Sequence, residues 1–139
     1  MNKRVLALDI GSVRIGIAMT DELCVIVSPY ETYIRKNFDT DLRYVAGLVK
    51  ENNVGLVICG LPVSMDGNEN AQTEYTKGFA ERLKGLIEVP LKYQDERLST
   101  IAAEDVLLKA KMRRDKRKNN IDKIAAAIIL ESYLNKTSS

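Results

Sequence analysis

The stretch RVLALDIGSVRIGIAMT, residues 4–20, decides the fold. Its first seven residues are apolar except for the opening arginine and Asp9. Gly11-Ser12-Val13-Arg14 reads as a turn, and residues 15–20 then resume with Ile15, Ile17 and Met19 alternating against Gly16, Ala18 and Thr20. Period two on the far side of a glycine-bearing turn predicts an antiparallel hairpin. Residues 24–34, CVIVSPYETYI, predict a third strand, with Pro29 marking an irregularity or a sheet edge.

Beyond this meander the period changes. Phe38, Leu42, Val45, Leu48 and Val49 recur at helical spacing over residues 38–52, with Asp39 and Asp41 near the helix start, where the macrodipole favours them. Residues 54–61, VGLVICGL, form a continuous apolar run, the pattern of a strand covered on both faces. A polar loop that includes Ser64, Gly67 and Asn68 follows, then a helix over about residues 69–85 with Tyr75, Phe79, Leu83 and Leu86 as its buried stripe. Residues 89–94 predict a short strand, and Ser99 caps a further helix to about residue 109. A basic segment interrupts. Ile121, Ile124, Ala125, Ile128, Ile129 and Tyr133 then mark an amphipathic final helix. The order β-β-β-α-β-α-β-α-α gives an α/β fold: a mixed sheet with helices on its faces, in one domain spanning residues 1–139.

Composition narrows the chemistry. With 45% hydrophobic and 29% charged residues the chain is an ordinary globular protein, which excludes a disordered tail and a collagen-like fibre. No run reaches the roughly 18 apolar residues of a membrane span, and no secretory leader is evident, so a cytoplasmic protein with no membrane partner is expected. The chain has no histidine, which removes every mechanism that needs imidazole. Cys24 and Cys59, in apolar strand-like runs, read as buried reduced thiols. The net charge of +2 conceals an asymmetry: residues 109–123 carry net +6 and the rest of the chain net −4. A basic block on an acidic body suits a polyanion, although a solvated loop would look the same.

Three acids stand out. Asp9 interrupts an apolar strand, where an ionised carboxylate is costly unless paired or metal-bound. Asp95-Glu96-Arg97 sits where a strand gives way to a helix, and strand ends of such sheets bind ligands. Asp122 precedes Ala125, Ala126 and Ile129 at helical spacing, which puts it along the buried stripe beside the sheet. Each has a plain alternative: a turn cap, helix-start charge, an acid near a helix N-terminus. Together, three carboxylates without histidine suit a hard cation, Mg²⁺ or Mn²⁺. Two such ions roughly 3.5–4 Å apart activate water and stabilise the leaving oxygen of a phosphodiester.

The stretches LALDIGSVRIGIAMTD at 6–21, VICGLPVSMDG at 57–67, DERLST at 95–100 and KRKNNIDKIAAAIILESYL at 116–134 resemble, in this order, the YqgF/RuvX family of the ribonuclease H-like superfamily. Its members are called Holliday-junction resolvases and also pre-16S ribosomal RNA nucleases. The resemblance covers essentially the whole chain. It implies a ribonuclease H-like sheet, an antiparallel three-strand meander plus parallel strands, and metal-dependent cleavage of nucleic acid. By position, the family's catalytic and metal-ligating acids fall on Asp9, Glu96 and Asp122. Two departures separate the chain from RuvC-type resolvases. Those enzymes place an acid at the end of the fourth strand, where this chain reads Gly60-Leu61-Pro62, and they carry two acids in the last helix, where only Asp122 matches here.

The expectation is therefore a hydrolytic endonuclease using Mg²⁺ or Mn²⁺, with Arg97, Arg113, Arg114, Lys116, Arg117 and Lys118 contacting the nucleic-acid backbone. Precursor ribosomal RNA is the favoured substrate because the acidic set departs from the resolvase pattern. Branched DNA is the alternative, and cutting both strands of a junction would need a symmetric dimer. A monomer and a homodimer are both compatible with the sequence. Two readings of other classes compete. A non-catalytic nucleic-acid-binding module would keep the basic block without needing the acids. A phosphotransferase is suggested by the likeness of DIGSVRIGIAMTD to the phosphate-binding hairpin of the actin and sugar-kinase group, but those proteins clamp ATP between two such domains.

Overall fold

The computed structural model describes residues 3–63, 66, 68–95 and 114–138, with backbone only for 114–120 and 136–138. Its elements are β1 (Arg4–Ile10), β2 (Arg14–Thr20), β3 (Val27–Ile34), α1 (Phe38–Glu51), β4 (Val54–Leu61), α2 (Ala71–Lys84), β5 (Leu91–Asp95) and α3 (Arg114–Ser138). The strands form one sheet in the order β3-β2-β1-β4-β5. β2 pairs antiparallel with both β1 and β3, whereas β4 pairs parallel with both β1 and β5. The mixed sheet is the α/β architecture expected from the alternating periods. The helix expected from Ser99 to about residue 109 lies outside the described residues.

Alternation sorts the hairpin's side chains by size. Leu6, Leu8, Ile10, Ile15, Ile17 and Met19 face α1 and α2, where Leu42, Val45, Leu48, Phe79 and Leu83 complete the larger core. Val5, Ala7 and Ala18 face α3 and meet Ala126, Ala127, Ile129 and Leu130, with Ile58 of β4. Helices thus cover both faces.

Local chemistry sets the boundaries. Asn37 caps α1, its side chain accepting from the Thr40 N–H at 2.9 Å. Asn70 and Thr73 form a reciprocal capping box on α2. Pro29 falls at an irregularity, as expected: the β2–β3 register shifts between Ile17, opposite Glu31, and Ala18, opposite Pro29, leaving Tyr30 as the extra residue.

Five expectations need correction. β3 starts at Val27, not at residue 24, because the Asp21 carboxylate accepts from the N–H groups of Val25 and Ile26 at 2.8 and 3.1 Å and closes a turn. Cys24 sits in that turn at φ 57°, half-buried, while Cys59 is buried; both are free thiols. On α2, Tyr75 is exposed, Leu86 is exposed beyond the helix end at Lys84, and Thr73, Thr76 and Ala80 join Phe79 and Leu83 in the interior. The basic stretch is helical from Arg114 onward, since Lys and Arg are good helix formers and Asn119-Asn120 does not break the run. The buried face of α3 is centred on Ala126 and Leu130 rather than on Ile124 and Ile128.

Candidate active site

The C-terminal ends of β1, β3, β4 and β5 and the N-terminus of β2 share one edge of the sheet. Gly11 makes the hairpin turn there. Its N–H donates to the Arg14 carbonyl at 2.9 Å, and a Cβ on Gly11 would lie 2.8 Å from that oxygen. The turn therefore needs glycine.

Asp9 lies one turn below this tip. By alternation with Val5 and Ala7 it faces α3. Its partner on β2 is Gly16, and on the other side β1 and β4 run with Leu8 beside Cys59, so Gly60 follows next to Asp9. Asp9 thus stands between two residues without side chains. α3 fills the notch over Gly16: a Cβ there would lie 1.9 Å from the Asp122 carbonyl oxygen and 2.9 Å from the Lys123 nitrogen. The helix backbone rests on the strand, and this seats the Asp122 turn beside Asp9.

The Asp122 carboxylate accepts from Arg14 Nε at 3.0 Å, with both side chains partly exposed. Sequence reasoning assigned Arg14 only to the turn. Its phase carried the signal, because Arg14 and Gly16 are two apart on β2 and share the α3 face. Asp122 lies in the third turn of α3, so it is a mid-helix acid aimed at a partner, not N-terminal charge.

A second charged centre holds the same edge from the other face. Arg35 follows β3, and its side chain is only 7% exposed against 1% for Asp41. Arg35 Nε donates to Asp41 Oδ2 at 2.9 Å; Nη1 donates to the Gly11 carbonyl at 2.9 Å and to the Tyr75 hydroxyl at 2.5 Å. Asp41 also accepts from the Tyr33 hydroxyl at 2.9 Å and the Lys36 N–H at 3.0 Å. Burial by itself would push the Asp41 carboxyl up, but the Lys36 N–H, Arg35 and Tyr33 outweigh it and hold its pKa below the ordinary carboxylate value. Burial, reinforced by the bond to Asp41, pushes the Tyr33 hydroxyl up. The expectation that Asp41 is helix-start charge is incomplete: it sits in the first turn, yet it is the buried counter-ion of Arg35. α2 closes the edge, with Gln72 Nε2 donating to the Ile10 carbonyl at 3.4 Å and the Thr73 hydroxyl donating to the Pro62 carbonyl.

Of the residues expected from sequence, the structure brings Asp9 and Asp122 to adjoining positions. Glu96, Arg97 and Arg113 lie outside the described residues, as do Ser64 and Gly67. Arg114, Lys116, Arg117 and Lys118 lie on the first turns of α3, directly N-terminal to Asp122. Asn68 is exposed and bonded to the Asp66 carboxylate at 2.9 Å. Among the described residues no three Asp, Glu, Cys or His side chains form a metal-ligating group. Also among them, no helix is long and apolar enough to cross a membrane.

The chain is similar in fold to solved resolvases. It matches Thermus thermophilus RuvC in complex with a Holliday junction substrate with TM-score 0.62 at 13% identity, covering 99% of this chain and 97% of that one. It matches the fowlpox virus resolvase bound to Holliday junction DNA with TM-score 0.60 at 14% identity, covering 98% and 99%. The sheet, with helices on both faces, is therefore the ribonuclease H-like arrangement of these resolvases. In sequence, a Halothermothrix orenii protein named "Putative pre-16S rRNA nuclease" is 43% identical over 132 residues, 95% of this chain and 94% of its own. A Clostridium acetobutylicum protein of the same name is 40% identical over 132 residues, 95% and 98% of the two chains. The model of the family described as RuvX, Holliday junction resolvase, matches residues 3–136, and with these relatives it shows that the chain belongs to the RuvX family.

Proposed function

We propose that this RuvX-family nuclease hydrolyses phosphodiester bonds near the 5′ end of precursor 16S ribosomal RNA, using Mg²⁺ or Mn²⁺ held by Asp9, Glu96 and Asp122. The observation that carries the reading is the seating of the Asp122 turn of α3 on Gly16, the β2 neighbour of Asp9. That seating sets the backbone of the Asp122 turn beside the strand partner of Asp9, at the sheet edge where such sheets bind ligands, which supports a shared site for the two acids. The donors suit a hard cation: they are carboxylates, the chain has no histidine, and a guanidinium already stands against one of them. When bound, the divalent ion supplies Lewis acidity at the phosphate and lowers the pKa of water.

The chain's own residues do the rest. Asp9, fixed by the rigid hairpin, anchors the site. Asp122, presented by α3, would hold the cation together with Asp9 and Glu96, and Arg14, whose Nε stands 3.0 Å from the Asp122 carboxylate, is placed to donate to a phosphate oxygen. Arg97, Arg113, Arg114, Lys116, Arg117 and Lys118 supply sequence-independent attraction to the backbone. Gly60 stands where RuvC-type enzymes carry an acid, so Glu96 takes over that role. The relatives' names support ribosomal RNA as substrate. A cytoplasmic setting and one domain acting as a monomer or homodimer complete the proposal.

The test is a side-by-side assay. The protein and its Asp9→Asn variant meet a precursor 16S 5′-leader RNA and a four-way DNA junction, each with Mg²⁺, Mn²⁺ or EDTA. Metal-dependent cuts in the RNA that fall at least about a hundredfold in Asp9→Asn are expected. Paired symmetric nicks in the junction alone would favour the second reading, junction resolution by a dimer, which the family description and the resolvase fold support. Full cleavage by Asp9→Asn would refute the site. Binding without cleavage of any substrate would make the protein a non-catalytic module.

A further inference from the structure

The turn tip shelters a cleft on the side of the hairpin away from Asp9. Ser12, Val13, Arg35, Lys36, Phe38 and Tyr75 line it, and its volume is about 390 Å³. That lies within the range of small-ligand sites. We infer that this cleft is a subsite for one unpaired nucleobase of the strand being cut. The inference rests on the nuclease reading above and adds a requirement: the substrate must be unstacked beside the cleavage point.

The walls suit a base. Tyr75 was expected inside the α2 stripe, yet it is 38% exposed, and Val13 at the turn tip is 58% exposed. An aromatic ring and a branched side chain at the mouth of a cleft offer a sequence-tolerant stacking surface. The floor suits a neutral acceptor. Arg35 carries a full charge, but Asp41 neutralises it at 2.9 Å. Among the described residues its Nη2 has no hydrogen-bond acceptor, while Nε and Nη1 have three between them. A charge-balanced guanidinium with donors to spare matches a base carbonyl or ring nitrogen better than a phosphate. Lys36, exposed beside it, provides the positive charge for the adjoining backbone.

The location ties the cleft to the site. Arg35 Nη1 bonds both the Tyr75 hydroxyl and the Gly11 carbonyl. Gly11 is two residues from Asp9, about 7 Å along the strand. A strand crossing the hairpin tip meets Asp9 on one side and Tyr75 on the other.

The experiment measures binding, so it does not depend on cleavage. Full-length protein carrying Asp9→Asn is titrated with a single-stranded oligoribonucleotide containing one 2-aminopurine, with the deoxyribo version of that strand, and with the same RNA fully paired in a duplex. Tyr75→Leu should weaken single-strand binding about tenfold, abolish the quenching of 2-aminopurine, and leave duplex binding unchanged. Tyr75→Phe and Tyr75→Trp, which keep a ring, should bind the single strand within about twofold of the parent. Comparing the ribo and deoxyribo strands identifies which one supplies the base. Equal loss on single strand and duplex, or no loss on either, would overturn the subsite. If the protein cuts nothing yet Tyr75→Leu loses single-strand binding selectively, the nuclease reading fails and the base subsite stands.

Discussion

The two faces of the sheet are built from the same strands and serve different ends. Toward α1 and α2 the hairpin presents Leu6, Leu8, Ile10, Ile15, Ile17 and Met19, and Phe79 fills the space between helix and sheet. Toward α3 the same strands present Val5, Ala7, Asp9, Gly16 and Ala18, and the helix answers with Ala125, Ala126 and Ala127. Large side chains hold the first helix pair away from the sheet and supply most of the buried apolar area. Small ones let α3 rest its backbone on Gly16, which seats the Asp122 turn on the strand partner of Asp9. One face stabilises and the other positions. The charges divide the same way: the buried Arg35–Asp41 pair braces the turn from the large-residue side, and the partly exposed Arg14–Asp122 pair lies on the small-residue side.

This contrast can be broken from either side. The largest effect on stability is expected from Phe79→Ala, because the ring is fully buried and its loss leaves a cavity. Unfolding in urea should show a loss of about 3–5 kcal/mol, with cleavage per folded molecule unchanged at temperatures where the variant stays folded. Gly16→Ala should cost less stability, about 1–3 kcal/mol, yet lower cleavage more than tenfold, because the added methyl must lift α3 and carry Asp122 away. Equal effects of the two substitutions on activity per folded molecule would erase the division.

The smallest effect sharpens the contrast by pH. The Asp41 carboxyl is held below its ordinary value, so its contribution to stability is complete above that value, about 3.9, and is lost as pH falls through the lower folded value. Asp41→Asn should flatten the acid limb of a stability–pH curve measured by urea unfolding. The wild-type curve should fall more steeply below about pH 4.

Much of this was legible in the chain, for local reasons. The alternation over residues 15–20 already separates large from small side chains, Gly11 marks the turn, and Pro29 marks the bulge. Asp9 announced itself as a charge in an apolar strand, and Asp122 by its spacing to Ala125 and Ala126. The Arg35 hub was not legible. Its partners Gly11 and Tyr75 are 24 and 40 residues away, and nothing in the local run IRKN separates it from Lys36, which is exposed. Tyr75 was misplaced for a related reason. Helical spacing identifies an apolar stripe, but a ring near a helix N-terminus can place its hydroxyl on a buried guanidinium and leave the ring partly exposed. The start of α3 was hidden because a dense basic run is as compatible with a helix as with a loop.

Pro29 and the Tyr30 bulge lie on β3, the outermost strand on that side of the described sheet. An open margin of this kind is a template on which further strands polymerise. Proline withholds a donor there, and the bulge breaks the even spacing a newcomer would need. Fibrous self-association is thereby discouraged along β3. The same interruption means that a twofold-related copy, if two-strand cutting requires one, must dock by side-chain packing elsewhere rather than by continuing the sheet through β3.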